Sequence, residues 1–416
     1  MRILFLSQYY YWWDRPRAGM LHLAMSPLGL RDRGHDVKVI CTRRPGQVLD
    51  DDGIDVHAFT PPLPLDVSTM YADPFLGRHR LLRSALVRAS YLQFLAMMWR
   101  ESLALTRTWR PDIIYCQTQS PGPVANRLAH RLGVPLVVHT YGGGAFSLDQ
   151  ARNPLWRANH YLDIVSSYRA DADAHIVADD GTRGDLLARE LGVPESKIHH
   201  WSIPVARPSP AAVPSVRSRL GIPDGVPVIV SAARMVPIKR MDLSLEVSAE
   251  ALARCPGAHA VLVGDGGERP ALESRWRQLD PDVQARIHFP GSLEREALSQ
   301  LLQESDVFLT LQEVSVSGTN LRDAMLHGLC IVAAERSEDE ALSTLLRDGE
   351  TARLIPDARL GETGAEVTAL LEDRATRQRL GEAARAFAER EFETWEKRIE
   401  TEEALLTSIV AAARAR

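Results

Sequence analysis

Short apolar runs alternate with segments of helical period along almost the whole chain. In the first half, helical periodicity covers residues 19–33, 83–109, 121–132, 154–170 and 181–191. Strands that are apolar throughout and separated by helices are typical of a parallel sheet covered on both faces. Six such runs predict strands: Ile3–Ser7, Asp36–Cys41, Ile54–Ala58, Asp112–Cys116, Leu136–Thr140 and Ala174–Ala178.

The alternation stops at residues 206–227, which contain five prolines and predict a linker. It then resumes, with helices expected at 242–253, 268–279, 294–304, 319–328 and 338–346 and from 361 to the end, with a break at Phe392–Trp395. The predicted strands of this half are Val228–Ala232, Ala258–Val263, Arg286–Phe289, Asp306–Leu311 and Cys330–Ala333.

Two doubly wound α/β domains in series account for this pattern. We predict an N-terminal domain over 1–205, the linker over 206–227, a second domain over 228–392 and a final helix over 393–416. A chain of 416 residues has the length of two or three domains. Ligands of such sheets bind beyond the carboxyl ends of the strands, and two facing domains would place a ligand in a central cleft.

Composition narrows the function classes. The chain is 45% hydrophobic and 25% charged, as in ordinary globular proteins, and its net charge of −5 argues against a nucleic-acid partner. The four cysteines lie far apart without metal-ligand spacing, so we expect free thiols, no metal and a reducing cytoplasm. No apolar run reaches 18 residues, and the first residues lack the features of a signal peptide.

Cations and glycines follow two strands of the second half. Arg234 and Lys239 come after Val228–Ala232, where a guanidinium and an ammonium would neutralise a diphosphate. Gly264 begins a Gly-Asp-Gly turn after the next strand, where a backbone without Cβ lets a ligand approach. The alternatives are a pair of solvated loop cations and an ordinary turn with positive φ.

A third segment, residues 313–325, joins a strand to a helix. The free amides of Gly318, Thr319 and Asn320 at the helix start would form an anion site. Asp323 lies one turn in, where its carboxylate can accept hydrogen bonds from a diol. The alternative is an ordinary helix start capped by Ser317 or Thr319.

These segments occur in the same order as in one family. Together with RILFLSQ at 2–8, RDRGHDVKVICT at 31–42, PLVVHTYGGG at 135–144, ADAHIVAD at 172–179 and AMLHG at 324–328, the chain resembles the retaining GT-B glycosyltransferases of family four over nearly its whole length. The resemblance implies a nucleotide-sugar donor held by the second domain, with Arg234 and Lys239 on its diphosphate. It also implies a final helix that crosses back to the first domain.

The family normally carries two glutamates eight positions apart, the first on the sugar and the second on the ribose. Here Asp323 stands at the second position and Ser315 at the first. Glu313, two residues upstream, would replace the first glutamate if the loop carries a bulge. By the same resemblance, Gly19 brings its N–H toward the phosphates, and His139 lies near the reacting sugar and orients its hydroxyls.

The resemblance places the acceptor on the first domain. Aromatic residues after the first strand, and the residues after His139, are the candidate acceptor contacts: Tyr11, Trp12, Trp13, Tyr141 and Gly142. Residues 77–110 hold seven arginines and one acid among apolar residues. That composition fits either a core-packing helix with a solvated face or a peripheral contact with an anionic membrane.

The implied function is transfer of a hexose or N-acetylhexosamine, from a UDP-sugar, to a small sugar, cyclitol or natural-product acceptor. Configuration would be retained without a covalent intermediate, a metal or another cofactor. Three alternatives stay open: a membrane-associated transferase with a lipid-linked acceptor, a nucleotide-sugar epimerase or hydrolase, and a weakened binding subunit. Ser315 is the feature that raises the last of these.

Overall fold

Two compact units make up the chain. A computed structural model describes residues 1–9, 22–43, 53–63, 79–141, 151–180, 183–208, 213–313, 318–335 and 345–415. Unit 1 comprises Met1–Ser202 and Trp395–Arg416, and unit 2 comprises Ile203–Thr394.

Unit 1 is built on a seven-stranded sheet in the order β3-β2-β1-β4-β5-β6-β7, and each pair of neighbours is parallel. The order reverses between β1 and β4, which creates a switch point. The strands are β1 Arg2–Tyr9, β2 Asp36–Thr42, β3 Asp55–Phe59, β4 Ile113–Gln117, β5 Leu136–Thr140, β6 Ala174–Asp179 and β7 Ile198–Ser202.

The central strands β4 and β5 are buried at every position because helices cover both faces of this sheet. Alternate strand residues such as Leu6, Cys116 and Val138 share one core with Phe94 and Leu128 from two helices on one face. The helices of unit 1 are α1 His22–Asp32, α2 Arg80–Thr106, α3 Gly122–Leu132, α4 Pro154–Asn159, α5 Ser166–Tyr168, α6 Gly184–Glu190 and the final helix α15 Trp395–Ala415, with a π-turn at Tyr161–Val165 and a 3₁₀ turn at Glu195–Lys197.

Helix α15 belongs to unit 1 although it ends the chain. Its Glu403 pairs with Arg33 and with His35, the latter at 2.8 Å. Arg414 pairs with Asp112 at 2.7 Å. These contacts fix the helix beside α1 and the amino ends of the central strands.

Unit 2 contains a six-stranded parallel sheet in the order β10-β9-β8-β11-β12-β13, with its switch point between β8 and β11. The strands are β8 Val228–Ala232, β9 His259–Val263, β10 Ile287–Gly291, β11 Val307–Thr310, β12 Cys330–Glu335 and β13 Ala352–Pro356. The helices are α7 Val216–Arg219, α8 Met241–Arg254, α9 Arg269–Trp276, α10 Pro281–Gln284, α11 Arg295–Gln303, α12 Thr319–Leu326, α13 Thr363–Glu372 and α14 Arg374–Glu391, with 3₁₀ turns at Pro237–Lys239 and Asp357–Glu362.

The sequence missed two strands, β7 and β13, and both lie at a sheet edge. Their sequences, IHHWS and ARLIP, are not apolar throughout, so they lack the signal of a buried run. The predicted linker also differs from the structure. Val216 and Ile222, from the proline-rich stretch, are buried in the core of unit 2, so this stretch is part of that unit. The helix predicted at 338–346 falls largely outside the described residues.

No helix among the described residues is long and apolar enough to cross a membrane.

Candidate functional site

Three loops meet at the switch point of unit 2. Strand β8 lies between β9 and β11, so the carboxyl ends of all three strands are adjacent. Arg234 and Lys239 follow β8, Gly264 follows β9, and Glu313 follows β11. The structure therefore brings the predicted residues Arg234, Lys239, Gly264 and Glu313 to the carboxyl ends of these strands at the switch point. We call this region the switch edge of unit 2.

Lys239 is fixed between two of these loops. Its Nζ donates a hydrogen bond to Gln312 Oε1 at 2.7 Å, and the neighbouring Glu313 amide donates to the Ile238 carbonyl at 2.8 Å. The loop after β11 is thus tied to the 3₁₀ turn that carries the lysine. Arg234 and Glu313 are exposed, whereas Lys239 is half-buried. Gln312 was not predicted, because a single glutamine in a loop carries no sequence signal.

The glycine turn packs against the loop after β8. Gly264 has φ of +136°, and a Cβ there would lie 1.9 Å from the Ala233 carbonyl oxygen. Gly266 has φ of +156°, and a Cβ there would lie 2.3 Å from the Met235 carbonyl oxygen. The Met235 amide also donates to the Asp265 carbonyl at 2.8 Å. Close approach of two backbones therefore requires these glycines and fixes the position of Arg234.

Helix α12 begins with a glycine at its N-cap. Gly318 is extended there, and among the described residues no side chain caps the helix. Thr319 is the first helical residue, so the alternative that Thr319 is the cap is wrong. Asn320 Nδ2 donates to the Ala232 carbonyl at 2.7 Å, which ties the helix start to the end of β8. The free N–H groups of the first turn and the positive end of the helix dipole favour an anion at this point.

Asp323 lies in the next turn of α12 with its side chain 16% exposed. Burial raises its pKa to about 6, against the lowering effect of the Arg295 guanidinium, whose Nη2 is 3.9 Å from the carboxylate. A carboxylate with this pKa is charged at neutral pH. It can accept hydrogen bonds from a diol, as its position in the sequence predicts.

Unit 1 carries a different cluster of side chains near the carboxyl ends of β4 and β5, beside the switch point of its own sheet. We call this region the switch edge of unit 1. His139, at the end of β5, is 1% exposed. Tyr115 Oη and Tyr141 Oη lie 2.7 Å and 3.1 Å from His139 Nδ1. The Tyr141 ring also stacks on the imidazole with ring centroids 4.1 Å apart. Tyr141 was predicted as an acceptor contact, and the structure places it against His139.

Several predicted site residues lie outside the described residues. They are Tyr11, Trp12, Trp13, Gly19, Gly142 and Ser315.

The arginine-rich segment 77–110 is mostly helix α2. Phe94 and Met98 are buried in the unit 1 core, while Arg88 and Arg100 are exposed. The helix therefore packs one face into the core, and its exposed face carries Leu82 and Leu92 as well as these arginines. Within the ranges that the structure describes, no three His, Cys, Asp or Glu side chains are grouped to hold a metal ion.

The fold and the two switch edges define the class of protein. Two Rossmann-like units with parallel sheets form the GT-B fold of glycosyltransferases, as the resemblance implied. The solved structure of Anabaena Alr3699/HepE in complex with UDP matches 98% of this chain and 100% of that chain, with a TM-score of 0.68 and 21% identity. The fold class predicted from the sequence is confirmed.

The family models identify the family. Residues 213–387 match the model of glycosyl transferases group 1, and residues 28–202 match the glycosyl transferase 4-like domain. The chain belongs to the group 1 glycosyltransferases, and the family resemblance seen in the sequence is confirmed.

Two relatives are about a quarter identical to the chain over the regions that match. Sulfoquinovosyl transferase SQD2 of Arabidopsis thaliana is 27% identical over 68% of this chain and 54% of its own length. A GDP-mannose-dependent alpha-mannosyltransferase of Mycobacterium tuberculosis is 26% identical over 62% of this chain and 65% of its own length. The matched region thus spans between about half and two thirds of these relatives.

Proposed function

We propose that the chain transfers a sugar from a nucleotide diphosphate sugar to an acceptor hydroxyl, with retention of configuration. The observation that carries the proposal is the switch edge of unit 2. There, Arg234, Lys239 and the first amides of α12 belong to segments that hydrogen bonds join to one another. Membership of the group 1 glycosyltransferases supports it.

The chemistry of this edge matches a diphosphate leaving group. Two cations and a helix N-terminus stabilise the negative charge that develops as the sugar departs. The leaving oxygen would then accept the proton of the acceptor hydroxyl on the same face, which retains the configuration without a covalent intermediate. Asp323 would hold the ribose hydroxyls, and His139 the hydroxyls of the sugar.

We propose a UDP-sugar as the donor, with a hexose or N-acetylhexosamine as the sugar. We propose a small sugar, cyclitol or natural product as the acceptor. Alr3699/HepE was crystallised with UDP, whereas the mannosyltransferase relative is named for GDP-mannose. The base is therefore the first quantity to measure. UDP, GDP and ADP and their common sugars should be compared by thermal shift and by calorimetry on the purified chain.

One nucleotide family should raise the stability of the protein, by about 2.7 kcal/mol at 100 times its Kd. The shift should be reduced in Lys239→Ala and retained in Arg254→Ala, an exposed cation of the same unit that pairs with Glu250. Anomeric NMR of the product then tests retention. Binding without hydrolysis or transfer would favour the weakened binding subunit, and absence of any shift would contradict the proposal.

One observation favours the alternative that the chain is a membrane-associated glycosyltransferase with a lipid-linked acceptor. Helix α2 exposes Leu82 and Leu92 beside arginines. Co-sedimentation with vesicles of anionic and of neutral lipid tests it, with Leu82→Ser/Leu92→Ser as the variant. Equal recovery with both vesicle types, or no effect of the variant, would leave the soluble acceptor as the better choice.

Glu313 is our candidate for the missing first glutamate. Its amide is tied to the turn that carries Lys239, and its side chain is exposed at the switch edge. Glu313→Gln should lower kcat about 10-fold or more, since a charged hydrogen bond to the sugar contributes about 1.5–3 kcal/mol. Steady-state kinetics measures this. Unchanged kinetics would return the role to Ser315 or to the backbone.

A further inference from the structure

The lysines of this chain bind partners that differ in charge. Lys38, Lys197 and Lys397 each form an ion pair with a carboxylate. Lys239 donates a hydrogen bond from Nζ to an amide oxygen, Gln312 Oε1, at 2.7 Å. A carboxylate cancels part of the charge of an ammonium, whereas a neutral amide oxygen only orients it. Gln312 therefore holds the Lys239 ammonium without neutralising it.

The backbone around Lys239 is fixed by other hydrogen bonds. The Glu313 amide donates to the Ile238 carbonyl at 2.8 Å, which joins the segment after β11 to the turn that carries the lysine. The Lys239 amide donates to the Val236 carbonyl at 2.9 Å, which closes the turn itself. The two segments are thus joined without the bond from Nζ. The effect of Gln312 therefore falls on the lysine side chain.

The hydrogen bond to Gln312 restricts a long and flexible side chain. A lysine ammonium sits on a four-carbon stem and carries three N–H donors, whose directions are restricted once one of them is bound. Lys239 and Gln312 are both half-buried at the switch edge of unit 2. A side chain that is ordered before its ligand arrives loses less entropy when the ligand binds. The contact with Gln312 thus preorganises Lys239.

We propose that Gln312 is a positioning residue for Lys239. Its side-chain oxygen holds the ammonium at the switch edge of unit 2, and its neutrality keeps the positive charge that attracts the diphosphate of the donor. The effect on the donor rests on the proposed function. The ordering of the lysine side chain rests on the geometry of unit 2 alone.

Two variants of Gln312 separate orientation from charge. Gln312→Leu removes the acceptor and leaves the charge of Lys239 unchanged. Gln312→Glu keeps the shape and an acceptor oxygen but adds a negative charge beside the ammonium, and it serves as the second test if Gln312→Leu does not fold. Gln278→Leu and Gln278→Glu are the matched controls, because Gln278 is exposed in unit 2 and lies in none of the loops of the switch edge.

NMR relaxation of the lysine Cε atoms measures the ordering without any ligand. The chain has four lysines, so protein labelled with ¹³C at lysine gives few signals, and the Lys239 signal is assigned by its loss in Lys239→Arg. We expect a rigid Lys239 stem in the wild type, in Gln312→Glu and in both Gln278 variants. In Gln312→Leu the stem should become as mobile as that of Lys397, whose side chain is 68% exposed.

Calorimetry with UDP and with GDP measures the effect on the donor site. Gln312→Glu should weaken binding of the nucleotide that the wild type prefers by about 10- to 100-fold, because the new carboxylate competes with the diphosphate for a charged hydrogen bond. Gln312→Leu should weaken it less, by about 2- to 10-fold, because one more side chain must be ordered on binding. Uridine and guanosine carry no phosphate, so their affinities should be the same in all variants.

The combination of the two measurements distinguishes positioning from a structural role. A rigid lysine with the weaker binding in Gln312→Glu, and a mobile lysine with the stronger binding in Gln312→Leu, would support the proposal. A mobile Lys239 in the wild type, a rigid one in Gln312→Leu, or unchanged nucleotide affinity in Gln312→Glu would each overturn it. If the wild type binds neither nucleotide, the proposed function fails, and the relaxation experiment still decides whether Gln312 holds Lys239.

Discussion

The two switch edges of this molecule are constructed in opposite ways. In unit 2, the edge is made of backbone and of cations at or near the surface, and hydrogen bonds between neighbouring loops fix it. In unit 1, the edge is made of titratable side chains: the hydroxyls of Tyr115 and Tyr141 are hydrogen bonded to the buried His139. The same sheet topology thus carries a charged, open edge and a buried, side-chain edge.

The difference fits two chemical tasks. A diphosphate needs positive charge and N–H donors, which loops and helix starts supply wherever a glycine lets backbones approach. Orienting sugar hydroxyls needs a donor or an acceptor of defined direction, which requires a side chain with a fixed protonation state. We expect substitutions at the switch edge of unit 2 to act through backbone geometry and charge. Substitutions at the switch edge of unit 1 should act through the direction of hydrogen bonds.

The largest expected effect is on the backbone contact of unit 2. Gly264→Ala places a Cβ 1.9 Å from a carbonyl oxygen at φ of +136°. It should lower the free energy of unfolding by about 3–5 kcal/mol, from overpacking plus backbone strain. Urea denaturation measures this, with Gly267→Ala as the control, because a Cβ at Gly267 has no heavy atom within 4 Å. Equal midpoints for the two variants would refute the close-contact argument.

The next effect tests charge at the same edge. Lys239→Ala should lower kcat at least ~100-fold with the fold intact, because a leaving-group contact contributes several kcal/mol to the transition state. Arg254→Ala, on the surface of the same unit, should leave kcat within 2-fold, because Arg254 pairs with Glu250 on its own helix and lies in none of these loops. Turnover and circular dichroism of both variants decide this. If Lys239→Ala turned over at the wild-type rate, the assignment of Lys239 to the donor site would be wrong.

The pH dependence of nucleotide binding tests Asp323. Ribose hydroxyls donate to the charged form, and its pKa is about 6 in the free protein. Nucleotide affinity should therefore fall as the pH is lowered through about 6, and the dependence should disappear in Asp323→Asn or with a 2′-deoxynucleotide. Calorimetry between pH 5 and pH 8 measures it.

The stability of the free protein should move in the other direction. Because folding raises the pKa of Asp323 above 3.8, the folded state binds this proton more tightly, and its contribution to stability grows as the pH falls from about 6 toward 4. Protonation of Asp323 stabilises the folded protein, so weaker nucleotide binding at low pH is not explained by unfolding that this residue causes. Affinity that is independent of pH in the wild type would contradict the ribose assignment.

The smallest expected effect is at the surface of unit 1. Glu403 pairs with Arg33 and His35. Burial raises the pKa of Glu403, but the hydrogen bonds and positive charges of Arg33 and His35 together outweigh burial, so the pKa is lowered. Glu403→Gln should lower the free energy of unfolding by about 1 kcal/mol or less at neutral pH. The difference should vanish as the pH falls below the ordinary glutamate range, because the charged form carries the stabilisation. A larger loss would mean that α15 depends on this pair for docking.

Local sequence patterns predicted most of unit 2. Arg234, Lys239 and the glycine turn lie within a few residues of apolar strands, and parallel strands place such loops at one edge. The same patterns predicted the central strands of both sheets, which are buried on both faces. They failed for β7 and β13, because the sequences of these two edge strands, IHHWS and ARLIP, are not apolar throughout.

The sequence by itself determined the fold class, the family and the cluster of charged residues in unit 2, because these depend on short-range periodicity and on residues adjacent to strand ends. Only the tertiary structure decided the environment of His139. Ser26 and Glu402 are 376 positions apart in the chain, and Tyr115 lies in an apolar strand that reads as core. A hydrogen-bond network of this kind has no periodicity. The Ser26–Glu402 hydrogen bond exists because α15 packs beside α1, and the Tyr115–His139 hydrogen bond exists because β4 and β5 are neighbours in the sheet.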